Sequence, residues 1–382
     1  MRKLIIWGAG RIGRGFVADI FFDTADFDVV FVDVDKELVD ALNKNGRYLI
    51  AKATRDGINE GWSRRPYEAV HTSDSKRLSE LFETDELLLD IAVHEPKVSE
   101  VADMLVPLFE LRQKTGKPMD VMMNVNMARP DRYFRNLMQE RLSGENLTYF
   151  NEKVGVTGIF AMCISPLAPD WLKEKDPLAL WNNGYFEQAI SVRELKCTPP
   201  ALPRLRLTED IEKEETRKLY TLNMAHGLLC YLGLPLGLKT SAEAVGHPVL
   251  RPILEGALKE SCAGLCREFG FESAVMEKWQ QDIIALLENP YIEDGLQRLG
   301  ADTRRKLGAY DREVGPARLA VKAGVLPVNL AKAVKAGFEY ENPDEGTQAV
   351  RAFYKENGLA ESLKKFCALE ENDPLFRLIS EA

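Results

Sequence analysis

The apolar run KLIIW ends in WGAGRIGRGF, and the three glycines there constrain the fold more tightly than any other feature of the chain. Gly8, Gly10 and Gly13 stand in G-x-G-x-x-G spacing. That spacing alone recurs in many glycine turns. Its surroundings narrow it: a strand-like run precedes it and an amphipathic segment comes after it. A second strand-like run, VVFVDVD, then reaches Asp33 about 20 residues after the last glycine. Gly8 permits a tight turn, Gly10 lets a pyrophosphate approach the backbone, and Gly13 lets helix and strand pack closely. The helix N-terminus favours phosphate charge. Asp33 accepts hydrogen bonds from adenosine ribose hydroxyls and repels a 2′-phosphate, so NAD is expected rather than NADP. Expected cofactor-binding residues are Gly8, Ala9, Gly10, Arg11, Ile12, Gly13 and Asp33. A glycine turn with an acidic cap further along is the plainer alternative. Asp35 is expected to N-cap the next helix, and Arg14 is either a phosphate contact or an exposed arginine.

Two compositional regimes divide the chain. From residue 1 to about 190, the runs KLIIW, VVFVDV, ELLLDIAV and DVMMNV read as strands, with segments such as KVSEVADMLVPLFELRQ between them as helices. This alternation predicts an α/β Rossmann-type doubly wound sheet, mostly parallel, with helices on both faces. Pro199, Pro200 and Pro203 interrupt regular structure in KCTPPALPRLRLTED. From about residue 209 the apolar spacing is helical almost throughout. The expected domains are an NAD-binding unit over 1–196 and a mainly α-helical substrate and catalytic unit over 197–382, with the cleft between them as the expected site.

Composition removes other classes. A net charge of −9 over 382 residues offers nucleic acid no electrostatic footprint, and the dispersed Lys and Arg make no membrane patch. No stretch approaches about 18 unbroken apolar residues, and LIIWGAG is far too short for a signal peptide. Six scattered cysteines offer no zinc set: Cys262 and Cys266 are a helical turn apart without a second pair. The expectation is a reduced, cytoplasmic, metal-free enzyme, a monomer or weak homo-oligomer, acting on a small molecule.

The chain has four histidines, and one lies in KLYTLNMAH, an apolar helical run carrying Lys218, Asn223 and His226. On an α-helix these three fall within an arc of about 140°. A nicotinamide enzyme that oxidises an alcohol needs a base for the hydroxyl proton and donors for the carbonyl in reverse. A desolvated lysine serves as the base, and Asn223 and His226 as the donors. Spacing alone leaves a second reading equally open, in which Lys218 is a surface lysine after Arg217 and His226 a hydrogen-bonded helix histidine.

RKLYTLNMAH also carries K-x4-N-x2-H, and with it the chain resembles the polyol-specific long-chain dehydrogenase/reductase (mannitol dehydrogenase) family over nearly its whole length. GAGRIGRGF is similar to the opening of the branch acting on mannitol 1-phosphate. NVNMARPD resembles the segment whose asparagine, here Asn126, contributes to the site, and LENPYIEDGLQRLGADTRRKLGAYDREVGPARL resembles a later block of the same branch. The resemblance implies Lys218 as general acid/base, with Asn126, Asn223 and His226 orienting the reacting oxygen. It also implies Arg298 and Lys306 as holders of substrate oxygens, suited to a phosphate or polyhydroxylated chain. The implied reaction interconverts a sugar alcohol (phosphate) and its ketose, foremost mannitol 1-phosphate and fructose 6-phosphate.

One departure bears on the substrate. Ala161 and Met162 stand where the family carries Asp-Arg, which removes an acceptor and a cation. His94, in IAVHEPKV, is read as capping the next helix, with a substrate contact as the alternative. His71 and His247 have no partners that suggest chemistry, and the sequon at Asn146 is without consequence in a cytoplasmic protein. Two rivals stay open: a hexuronate (fructuronate or tagaturonate) reductase, and a non-catalytic NAD(H)-sensing protein.

Overall fold

The structure, a computed structural model, describes residues 2–127, 129–185, 187–292 and 295–382. Glu293 and Asp294 of the LENPYIED block, and Ala128 of NVNMARPD, lie outside these. The chain divides into two compact units, Met1–Ile211 and Glu212–Ala382.

In the first unit the apolar runs become strands because each is buried on both faces, as parallel sheets require. The strands are β1 (Arg2–Trp7), β2 (Phe27–Asp33), β3 (Leu49–Thr54), β4 (Gly57–Trp62), β5 (Tyr67–His71), β6 (Leu87–Ile91), β7 (Met119–Met123), β8 (Val154–Phe160), β9 (Leu180–Asn182), β10 (Gln188–Ser191) and β11 (Leu205–Thr208). Among the described residues they form an eight-stranded sheet in the order β11-β10-β8-β7-β6-β1-β2-β5 and a small sheet β4-β3-β9. The pairs from β5 across to β8 are parallel, and β10 runs antiparallel to β8. The strand order reverses between β1 and β6, the switch point where open α/β sheets bind ligands. Two apolar cores flank the sheet, one around Phe82, Phe109 and Phe150 and the other around Phe16, Phe31 and Ile190.

The expected boundary at 196/197 falls inside this unit. The prolines do not end regular structure: Leu205–Thr208, beyond Pro203, adds β11 to the edge of the sheet, parallel to β10. An edge strand tolerates a nearby proline because one side of its ladder is already free. The second unit is helical among its described residues, and includes Ile211–Lys218 at the junction, Met224–Gly233, Leu250–Phe269, Ser273–Leu287, Val314–Lys322, Val328–Glu339 and Glu345–Cys367. No helix among the described residues is long and apolar enough to cross a membrane.

Candidate active site

The glycine loop connects β1 to the first helix at the switch point. Gly8 has φ 109°, and a Cβ there would lie 2.5 Å from the Ala92 carbonyl oxygen. At Gly13 a Cβ would lie 2.1 Å from the Gly8 carbonyl oxygen. Both glycines are therefore required by the chain's own packing. Gly10 differs: no atom lies within 4 Å of its Cβ position. Nothing internal forbids a side chain there, and the open space over an exposed backbone is what a phosphate needs. Asp33 ends β2, and its carboxylate accepts the Ala9 amide at 2.7 Å and the Asp35 amide at 3.0 Å. A carboxylate has about four acceptor sites, so lone pairs are left for two ribose hydroxyls. The residues present fit a dinucleotide: the 8–13 backbone for its pyrophosphate and Asp33 for its ribose.

Arg14 is neither a phosphate contact nor an exposed arginine. It is 7% exposed, donating from Nε to the Ala9 carbonyl at 2.6 Å and from Nη1 to Leu178 at 2.8 Å. It braces the loop from behind, with its guanidinium 5.2 Å from the Tyr48 ring centroid. Arg11 is exposed at the helix start. Asp35 caps the helix Lys36–Asn45, accepting the Leu38 amide at 3.1 Å.

Asn126 is exposed in the loop after β7, at the same carboxyl end of the parallel strands as the glycine loop. Two residues earlier, Asn124 donates to the fully buried Asp90 near the end of β6. Burial pushes the Asp90 carboxyl up to about 8, partly opposed by that bond. Sequence reading missed this pair, although an aspartate inside ELLLDIAV was the available signal. His94 occupies the N-cap position of the short helical turn Glu95–Lys97, but its imidazole makes no capping bond. Met162 is buried, and its carbonyl accepts Asn183 Nδ2 at 2.9 Å. Ala161 packs against the core around Phe16.

In the second unit Lys218 closes the helix Ile211–Lys218, and the next five residues, Leu219–Asn223, form a π-helical turn before α-helix resumes at Met224. The uniform 100° per residue of an unbroken α-helix does not hold there. A π-turn takes one more residue per turn than an α-turn, which brings Asn223 closer to the face of Lys218. His226 comes next, on the helix Met224–Gly233, and is 9% exposed. Burial lowers its pKa to about 3, with further depression from Arg312, Arg298, Lys306 and Lys218. Burial among these cations therefore favours the neutral imidazole, which keeps one N–H donor.

The same cations identify what surrounds it. Arg298 lies on Leu296–Gly300, and Lys306 ends Thr303–Lys306. Lys306 is 5% exposed and donates to the Leu299 carbonyl. Burial and then Arg312 lower it to about 8. Arg312, held by Asp311 with Nε 2.9 Å from Oδ1, was missed as a site residue, although the DR pair was visible in AYDREVGPARL. So was Glu313, which is fully buried with no hydrogen-bond partner for either oxygen among the described residues. Burial holds its carboxyl well above the usual range.

Known proteins match both units. A family model described as the mannitol dehydrogenase Rossmann domain matches residues 2–204, and one described as the mannitol dehydrogenase C-terminal domain matches residues 210–380. The chain is 29% identical over 377 residues to a mannitol-1-phosphate 5-dehydrogenase of Bacillus licheniformis, covering 98% of this chain and 97% of that protein. It is 28% identical over 374 residues to the Bacillus subtilis protein of that name, with coverages of 98% and 97%. Among solved structures, D-sorbitol dehydrogenase in its substrate-free form matches with a TM-score of 0.85 at 15% identity, covering 98% of this chain and 91% of that one. Pseudomonas fluorescens mannitol 2-dehydrogenase, in ternary complex with NAD and D-mannitol, matches with a TM-score of 0.74 at 15% identity, covering 100% and 90%. With one family model on each unit and relatives aligned end to end, the chain belongs to the mannitol dehydrogenase family of NAD-dependent polyol oxidoreductases.

Proposed function

We propose that this NAD-dependent polyol dehydrogenase interconverts mannitol 1-phosphate and fructose 6-phosphate, with Lys218 as general acid/base and no metal in the step. The observation that carries the reading is a buried His226 close enough to Arg298, Lys306 and Arg312 for their charges to lower its pKa, on the helical run that also carries Lys218 and Asn223. Three cations around one buried imidazole favour a substrate that brings negative charge. The names of the curated relatives point to the same substrate.

NAD, when bound, supplies the hydride acceptor at the carbon being oxidised. Gly8 to Gly13 hold its pyrophosphate and Asp33 its adenosine ribose. Lys218 Nζ takes the substrate hydroxyl proton and returns it in reduction. Asn223, His226 and Asn126 donate hydrogen bonds to the reacting oxygen, and Arg298 and Lys306 hold the anionic end.

The test has two parts. Lys218→Ala is expected to abolish turnover while NADH still binds, and near-normal kcat in that variant would overturn the mechanism. An NADH-oxidation panel with fructose 6-phosphate, fructose, fructuronate and tagaturonate tests the substrate. Preference for fructuronate or tagaturonate would make the enzyme a hexuronate reductase, whose carboxylate would use the same cations. Tight NADH binding with no oxidation across the panel would make it a sensor.

A further inference from the structure

The π-turn in the lysine helix has a counterpart in the first unit, and both are built alike. In Gly13–Val17 the Ala18 amide donates back five residues to the Gly13 carbonyl, so it passes over Arg14, which an α-helix would have served. The Arg14 carbonyl is instead met by the hydroxyl of Tyr48 at 2.9 Å, from outside the helix. In Leu219–Asn223 the Met224 amide is directed at the Leu219 and Thr221 carbonyls and passes over Tyr220. The Tyr220 carbonyl is met by Ser261 Oγ at 2.5 Å, from the helix Leu250–Phe269. Tyr48 and Ser261 are both fully buried. A buried carbonyl left without a donor is destabilising because it loses its bond to water and gains none in the fold, so each hydroxyl offsets the penalty of the extra residue.

The lysine helix carries a second brace. Thr221 Oγ1 donates to the Arg217 carbonyl at 2.6 Å and accepts the Trp279 indole N–H at 2.9 Å. The Arg217 guanidinium lies 3.9 Å over the Trp279 ring. The residue immediately before Lys218 and the middle of the π-turn are thus tied to one indole on the helix Ser273–Leu287.

We infer that Ser261 and Thr221 are positioning residues that hold the Leu219–Asn223 turn in its π form and so set Lys218 in register with Asn223 and His226. The inference rests on the reading of Lys218 as the acid/base. If the turn relaxes to α-helix, every residue before it rotates by about 100° relative to those after it, and Lys218 leaves the face of its two partners. A misplacement of about 1 Å already costs up to about 100-fold in rate.

The experiment uses full-length Ser261→Ala and Thr221→Val, with Thr221→Ser as the variant that keeps the hydroxyl. Fructose 6-phosphate reduction by NADH is measured across pH, along with NADH affinity and hydrogen exchange of peptides spanning 217–226. Ser261→Ala and Thr221→Val are expected to lose about tenfold or more in kcat, to displace the pH profile and to exchange faster at 219–224. NADH affinity should be unchanged, and Thr221→Ser should recover the wild-type profile. Wild-type kcat and pH profile in both variants overturn the inference whatever happens to thermal stability. So does unchanged exchange at the turn, which needs no substrate. If Lys218→Ala is inactive while Ser261→Ala is normal, only the positioning role fails. If Lys218→Ala stays active, the acid/base reading itself fails.

Discussion

The carboxyl of Glu313 occupies the place a side chain at Gly227 would take, with Oε1 1.8 Å from the position of a Cβ there. Gly227 is in mid-helix, where glycine is disfavoured by up to about 1 kcal/mol relative to alanine. Its presence next to His226 is explained by what lies against it. Gly227→Ala should destabilise the protein by about 1–3 kcal/mol through overpacking, and the same change in a Glu313→Ala background should instead stabilise it. Urea unfolding of the four proteins measures the coupling, and an equal effect in both backgrounds would refute the contact.

Glu313 also makes a pH prediction. Burial raises its carboxyl pKa, partly opposed by Arg312 and Lys306. In the unfolded chain it ionises near the ordinary value of 4.5, while in the fold burial favours the protonated form. The raised pKa contributes stability fully present below about pH 4.5 and lost as pH climbs toward the folded value. The slope is up to about 1.4 kcal/mol per pH unit. Glu313→Gln keeps the shape without the proton. Its melting temperature should gain on wild type from pH 5 to pH 7, and a constant difference would show that Glu313 is ionised in the fold.

The glycine loop separates packing from binding. Gly13→Ala would drive a methyl into the Gly8 carbonyl, so it should lower the melting temperature. Gly10→Ala meets no protein atom within 4 Å and should leave melting unchanged while weakening NADH by about tenfold, or about 1.4 kcal/mol. Fluorescence titration with NADH decides it, and unchanged affinity in Gly10→Ala would remove the pyrophosphate from this loop.

Burial is the chief cause that lowers Lys306 from its ordinary 10.5 to about 8. Its charge, and with it the hold on an anionic substrate proposed above, is present below that pH and lost above it. KM for fructose 6-phosphate should therefore rise as pH passes about 8. Lys306→Arg, whose guanidinium stays charged, should flatten that rise. A rise of the same size in the variant would assign it elsewhere.

His226, at about 3, should contribute no limb to the profile. His226→Ala is expected to lower kcat about 100-fold, as removal of an oxyanion donor does, without moving either limb. A displaced limb would mean that the imidazole titrates during turnover.

Much of the fold was legible in the residues, as were the residue types of the candidate site, and the reason differs by part. The first unit announces itself because β1, β2, β6 and β7 are apolar runs buried on both faces, and because Gly13 is required by a contact only five residues back, with the Gly8 carbonyl. β11 was hidden by the prolines before it, since an edge strand needs little beyond a neighbour. Lys218, Asn223 and His226 were visible as polar residues in an apolar helix, but the π-turn was not: it is imposed by Ser261 and Trp279, roughly 40 and 60 positions away. Arg14 was misjudged for the same reason, because its partner Leu178 lies in a distant segment. Arg312 and Glu313 are neighbours in sequence, yet Arg312 is paired with Asp311 while Glu313 is fully buried with no hydrogen-bond partner among the described residues.

The π-turn between Lys218 and Asn223 also sets stability and activity against each other within a single residue. It is one residue longer than the hydrogen-bonding pattern on either side calls for, which is the geometry a one-residue insertion leaves in a helix. Deleting Leu222 would let the α-helix run through, with its ladder of amides and carbonyls closed from within. The shortened chain is expected to bind NADH as before and to have lost its catalyst. Removing one residue is thus expected to separate cofactor binding from turnover, with every polar residue of the lysine motif still in the sequence.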